Sequence, residues 1–263
     1  MSALEVRNLV KEYRLRNGRH SSILKAVDDV SFSIDSGRTV ALVGQSGSGK
    51  STLAKLLMQL ERPTTGSIML DGAPVRRAGA GLRQYRSDVQ MVFQDPFASL
   101  NPYHSIAHHL GRPLILHGKA KGRDEVMAGV AKLLERVRLD PDMAQRKPHE
   151  LSGGQRQRIA IARALAPEPK ILVADEPVSM LDVSIRLGVL NLLADLQREE
   201  NLGVFYITHD LATARHFSDD ILVMFRGRIV ERGPADDVIL NPQHEYTRML
   251  ADAAPNPEKR LSA

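Results

Sequence analysis

Residues 44–52 read Gly-Gln-Ser-Gly-Ser-Gly-Lys-Ser-Thr, which fits the spacing G-x-x-x-x-G-K-[ST] from Gly44 through Ser51. That spacing suits a polyphosphate. Gly44, Gly47 and Gly49 let the backbone turn tightly, so that the N–H groups of the loop, those of Gln45, Ser46 and Ser48 among them, can face phosphate oxygens. A helix following the loop adds its positive N-terminal end. Lys50 would then neutralise the β- and γ-phosphates, Ser51 would place its hydroxyl on magnesium, and Thr52 would donate to the α-phosphate. A second chemical stretch is ILVADE, residues 171–176, a hydrophobic run ending in two acids. It reaches the loop if the two strands are neighbours. Asp175 would hold the magnesium shell, and Glu176 would accept a proton from the water attacking the γ-phosphate. Of His104, His108 and His109, those at i and i+4 would lie on one helix face. No cysteine or nearby carboxylate completes a metal site there, so they read as surface residues at the start of a helical segment.

These groups need strands and helices to carry them. RTVALV, residues 38–43, is β-prone and enters the glycine loop, and residues 53–60 continue it with helix formers. Residues 66–71 (GSIMLD) before Gly72, and 88–93 (DVQMVF), read as further strands, making the first hundred residues β-rich. From about 95 to 166 the period becomes helical, with Pro96, Pro102, Pro113, Pro141 and Pro148 expected as breaks. The β signal returns at ILVAD. A helix over 183–199, the strand GVFYITHD and two short strands around Arg226-Gly227 follow. Strands alternating with helices imply a parallel sheet. The tail after Ala254 is expected to be flexible.

The 263 residues carry 36 basic and 31 acidic side chains, a formal charge of +5, and no cysteine. This is an ordinary soluble composition with enough chain for a substantial core. Disulfides, thiolate metal sites and a cysteine nucleophile are excluded. No apolar run approaches the 18 to 20 residues of a spanning helix. Glu5, Arg7, Lys11 and Glu12 interrupt the place of a signal-peptide core, so a cytoplasmic location is expected. Arginine outnumbers lysine 26 to 10, but acids are interspersed throughout, which favours a solvated mixed surface over a nucleic-acid face.

Between the two chemical stretches lies LSGGQ, residues 151–155, followed by RQRIAIARALA. On these residues the chain resembles the ATPases of ABC transporters, over about residues 3–252. The resemblance implies an α/β fold, a P-loop NTPase of ABC type, with a mixed sheet core, an antiparallel β part and an inserted helical subdomain. One cassette over 1–254 would comprise an ATP-binding core, 1–94 and 167–254, and a helical subdomain of about 95–166, with 255–263 as a flexible tail. Ser152, Gly153, Gly154 and Gln155 would close in trans over the nucleotide of a second ATPase subunit. Gln94, in VFQDP, matches the Q-loop that touches magnesium and water. His209, in ITHD, matches the switch histidine, Tyr13 the aromatic that stacks on adenine, and Asp182 the D-loop of the dimer interface. The set Glu176, His209 and LSGGQ implies an active ATPase using ATP and Mg2+, with Lys50, Gln94, Glu176 and His209 as its catalytic groups.

VQMVFQDPFASLNP, EPVSMLDVSIR and NPQHEYTRML further resemble the oligopeptide, dipeptide and nickel branch of importers, some members of which are similar to oligosaccharide carriers. The late element departs from the usual HPYT at Glu245, and Val178 and Met180 depart from EPTSALDVS. The branch implies two transmembrane permeases, an extracytoplasmic substrate-binding protein, and a second cassette, identical or homologous. The chain would lie peripherally on the cytoplasmic membrane face. The alternative, a soluble ABC ATPase acting on nucleic acid or the ribosome, would call for a long coiled-coil insertion or two cassettes, and neither is present. A non-hydrolysing regulatory cassette is the third reading.

Overall fold

The structure is a computed structural model that describes residues 2–17 and 20–253. The expected flexible tail, 255–263, lies outside these residues. In chain order the elements are β1 (Ser2–Asn17), β2 (His20–Asp35), β3 (Thr39–Val43), α1 (Lys50–Leu57), β4 (Thr65–Leu70), β5 (Ala73–Pro74), α2 (Gly79–Asp88) and β6 (Val89–Val92). Then follow α3 (Pro96–Ser99), α4 (Ile106–Leu116), α5 (Gly122–Arg136), two 3-10 turns, α6 (Gly153–Leu165), β7 (Ile171–Asp175) and α7 (Val183–Glu199). The chain ends with β8 (Gly203–Thr208), α8 (Leu211–Phe217), β9 (Asp220–Phe225), β10 (Arg228–Pro234), α9 (Ala235–Leu240) and α10 (Glu245–Ala253). Contacts divide it into two units, one running to Val75 and resuming at Val204, the other Arg76–Gly203.

The first unit holds two β layers. An antiparallel sheet has the order β2-β1-β4-β5. In the other layer β3 is flanked by β8 and β9, both parallel to it, and β10 closes antiparallel on β9. Two hairpins use two-residue turns with both central residues at positive φ, Asp71-Gly72 and Arg226-Gly227. Those angles match the twist of the paired strands. All residues of β3 and β8 are buried, as expected for strands covered on both faces. Phe205 stacks on Phe32 with ring centroids 5.0 Å apart, fastening the two layers' apolar faces. Helix α1 buries Leu53, Ala54, Leu56 and Leu57.

The second unit contains the parallel pair β6–β7 and most of the helices. Three of the expected proline breaks instead begin helical turns: Pro96, Pro141 and Pro148 stand at first positions, where no N–H is needed. Pro113 departs from the expectation, for α4 runs through it. Only one backbone donor is lost there, and the amphipathic helix keeps Ile106, Leu110 and Leu114 buried. The sequence reading also passed over α2, whose arginines, glycines and serine weaken the helical period. Among the described residues no helix is long and apolar enough to cross a membrane.

Phe205 is wholly buried. Phe205→Ala should therefore lower unfolding stability by about 3–5 kcal/mol, read as a lower urea midpoint.

Candidate functional site

In the first unit the chain leaves β3 at Val43 and turns at Gly44 because no side chain fits there. A Cβ at Gly44 would stand 2.3 Å from the Met224 carbonyl oxygen and 2.8 Å from Ser48 Oγ. At Gly49, φ is +114° and a Cβ would stand 2.2 Å from the Ala26 oxygen. The loop is thus pressed against β2 and the end of β9. The Gly227 N–H donates to the Ser48 carbonyl at 2.8 Å, and the Asp28 N–H donates to the Gly227 carbonyl at 2.8 Å. The opposite side is open: Gly47 has φ +80° and no atom within 4 Å of a Cβ position, and Gln45, Ser46 and Ser51 are exposed.

Lys50 opens α1, and its buried ammonium donates to the carbonyls of Gly44 at 2.7 Å and Gln45 at 3.0 Å. Ser48 Oγ is buried and has no protein hydrogen-bond partner. An open glycine mouth, a helix N-terminus, an orphan hydroxyl and a held ammonium fit a polyphosphate. Thr52 is half-buried one residue after Ser51.

Tyr13 and His209 belong to the same unit. The half-buried Tyr13 donates its hydroxyl to Glu61 Oε2 at 2.5 Å, and the Lys11 ammonium lies 5.0 Å from its ring centroid. Burial, then the bond to Glu61, raises the Tyr13 phenol, and the Thr52 side chain opposes that rise. Tyr13, followed by Lys11 and Lys55, holds the Glu61 carboxyl below its ordinary value. Val43 and Thr208 are register partners in the β3–β8 ladder. His209, exposed and one residue beyond Thr208, is therefore level with Gly44. Asp210 beside it caps α8 by accepting the N–H groups of Ala212 and Thr213.

Both edges of β3 are taken by β8 and β9, and ILVAD forms β7. Its neighbour in the second unit is β6, with Val92 opposite Ala174. Two residues further along each strand stand Gln94 and Glu176, and the Gln94 amide donates to Glu176 Oε2 at 3.1 Å. Glu176 has φ +44°, a left-handed angle costing a non-glycine residue roughly 1–3 kcal/mol. The Ser179 N–H and hydroxyl donate to the Glu176 carbonyl at 3.2 and 3.0 Å, holding that angle. Asp175 is half-buried one residue earlier. In this unit Gln94 and Asp175 offer amide and carboxylate oxygens, and in the first unit Ser51 offers a hydroxyl, each a donor type that a hard divalent cation takes.

The same unit carries LSGGQ. Ser152 Oγ accepts the Gln155 N–H at 3.2 Å while the Ser152 N–H donates to Gln155 Oε1 at 2.9 Å, a reciprocal cap of α6. Gly154 is packed so closely that a Cβ would meet Ile185 Cγ2 of α7 at 2.6 Å, and Gly153 has ordinary room. Asp182 is exposed at the N-cap of α7, its carbonyl accepting from the N–H groups of Ile185 and Arg186. His104, His108 and His109 form no acid-completed cluster; His104 and His108 are exposed as expected, but His109 is buried, its ring sharing a hydrogen bond with the Asn101 carbonyl at 3.0 Å. Sequence reasoning missed the groups behind the phosphate loop: Ala26, Met224, Gly227 and Tyr246. Three of these act through backbone atoms and leave no side-chain pattern to read.

The ABC transporter family profile matches residues 27–179. The Di/tripeptide transport ATP-binding protein DppF of Pseudomonas aeruginosa is 48% identical over 257 residues, covering 97% of this chain and 79% of that protein. The Glutathione import ATP-binding protein GsiA of Salmonella typhimurium is 47% identical over 256 residues, 96% of this chain. The chain spans 41% of the length of that relative. Among solved structures, cbiO1 from Clostridium perfringens, part of the ABC transporter complex cbiONQ, superposes with a TM-score of 0.79 at 28% identity, covering 91% of each chain. The ATP-binding cassette MJ0796, a dimer in a post-hydrolysis state bound to ADP and Pi, gives 0.75 at 32% identity, covering 88% of this chain and 98% of that one.

Two outcomes follow from the loop and its tyrosine. Gly47→Ala should cost about 1–2 kcal/mol through its left-handed φ alone, and Gly44→Ala more, because a carbonyl blocks its Cβ; thermal unfolding without nucleotide separates them. The lowered Glu61 contributes stability that is present above its ordinary value of 4.5 and lost as pH falls through its folded value. Tyr13→Phe should shrink that acid-side loss in a melting-temperature series from pH 7 to 3.

Proposed function

The chain belongs to the ABC transporter family, and from that premise we propose that it is the ATP-hydrolysing subunit of an importer of small peptides. The phosphate loop carries this reading: its back is closed by backbone, its mouth is open, and Lys50 is already held at its rim. Peptide as the solute class rests on the printed activities of the relatives, di/tripeptide transport and glutathione import.

ATP is bound by residues 44–52, its β- and γ-phosphates neutralised by Lys50 and its α-phosphate contacted by Thr52, with adenine against Tyr13. Ser51, Gln94 and Asp175 would hold Mg2+, which would supply positive charge to offset that of the phosphate oxygens. Glu176 accepts the proton of the attacking water, oriented by Gln94, and His209 contacts the γ-phosphate. The hydrogen bond between Gln94 and Glu176 supports that division of labour, since it fixes the carboxylate's direction. Ser152, Gly153, Gly154 and Gln155 serve the nucleotide of a second cassette, with Asp182 at the shared interface, a reading supported by similarity to a dimeric cassette. ATP favours the closed pair and hydrolysis releases it, and this difference in affinity drives two permeases. The chain works on the cytoplasmic face of the membrane, with an extracytoplasmic binding protein supplying the solute.

In a complex purified with its permeases, Glu176→Gln should lower phosphate release by about 10²–10⁴-fold while leaving ATP binding intact. Wild-type turnover in that variant would remove Glu176 from its role. An ATPase that never associates with membrane proteins in native cells would overturn the transport reading. Thermal stabilisation of the associated binding protein by di- and tripeptides tests the solute class.

A further inference from the structure

The late element NPQHEYTRML has so far carried only a resemblance. In the first unit its tyrosine reaches the phosphate loop: the Tyr246 hydroxyl oxygen accepts the Gln45 N–H at 2.9 Å. That N–H belongs to the peptide unit whose carbonyl, on Gly44, accepts the Lys50 ammonium at 2.7 Å. One peptide plane is therefore gripped at both ends. Gln45 is an exposed residue, and the hydrogen bond shown for its backbone N–H is the one to Tyr246.

The tyrosine is itself held firmly. It is buried, and its ring packs on Phe225 with centroids 4.2 Å apart. Phe225 follows Met224, whose carbonyl backs Gly44. The start of α10 is pinned by the Glu231 carboxylate, which accepts the N–H groups of Gln243 at 2.7 Å and His244 at 3.0 Å. His244 Nδ1 in turn accepts the Tyr246 N–H at 3.1 Å.

We propose that Tyr246 is a positioning residue for the nucleotide site, its hydroxyl fixing the Gly44–Gln45 peptide and through it the place of Lys50. The proposal rests on the reading of residues 44–52 as the nucleotide loop. The β10–α10 segment is then a strap that seats the tyrosine, and a displacement of α10 is felt at the phosphates through one hydrogen bond.

The test is Tyr246→Phe, which keeps the ring on Phe225 and removes the hydroxyl, measured beside Tyr246→Ala in the full chain. Amide exchange by NMR should show the Gln45 N–H protected in the wild type and exposed in Tyr246→Phe, with the Leu53 amide of α1 unchanged. The Kd for MgATP should rise about fivefold, which converts to about 1 kcal/mol, at an unchanged melting temperature. Unchanged Gln45 exchange and unchanged Kd in Tyr246→Phe would overturn the proposal. So would a loss confined to Tyr246→Ala, which would make ring packing the whole contribution. A wild type that binds no MgATP would instead strike the reading of the loop, because the exchange measurement reads the tyrosine contact without nucleotide.

Discussion

The constraint on which the rest of the site depends is the close approach of the phosphate loop to the backbone behind it. Gly44 lies against the Met224 carbonyl and Gly49 against that of Ala26, at separations that leave no room for a Cβ. The back of the loop is filled by β2 and β9, and its exposed side is the one where Gly47 stands. Glycine is needed here for contact as much as for φ. The Arg226-Gly227 turn adds a lock, its amide bonded to the Ser48 carbonyl and its own carbonyl taking the Asp28 N–H. The sites of the first unit are thus assembled by a hairpin nearly two hundred residues downstream of the loop.

The second unit uses register rather than close packing. In a parallel pair, equal steps from one matched pair keep side chains level, and two steps beyond Val92 and Ala174 bring Gln94 beside Glu176. Backbone strain at Glu176 accompanies this arrangement, held by the two bonds from Ser179. Strain at a carboxylate with a defined partner is what a site that must present that group in one direction requires. At LSGGQ the reciprocal Ser152–Gln155 cap and the packing of Gly154 on Ile185 hold the first turn of α6 against α7.

Much of this was legible in the chain because its signals are local. The phosphate loop, the strands before it and at 171–175, the helix over 183–199 and the turn at Arg226-Gly227 each announce themselves by residue type within a few positions. Pro113 was misread because proline acts on one donor, while the buried face of α4 is set by Ile106, Leu110 and Leu114 together. Whether ILVAD flanks the loop strand was not legible in the sequence for a related reason. Strand order is a choice among pairings that periodicity does not rank, and here β8 and β9 took both edges of β3.

What the sequence determined by itself was the family resemblance and the residue types and spacings from which phosphate, cation and proton roles are proposed. Those properties reside in side chains and short spacings. Tertiary structure alone decided what surrounds them: that the peptide beside Lys50 is held by Tyr246, that Tyr13 is tied to Glu61, and that Gln94 meets Glu176. The physical reason is separation along the chain. Tyr246 and Gln45 are 201 residues apart, and Gln94 and Glu176 are 82, so only the packed strands bring them within hydrogen-bonding distance.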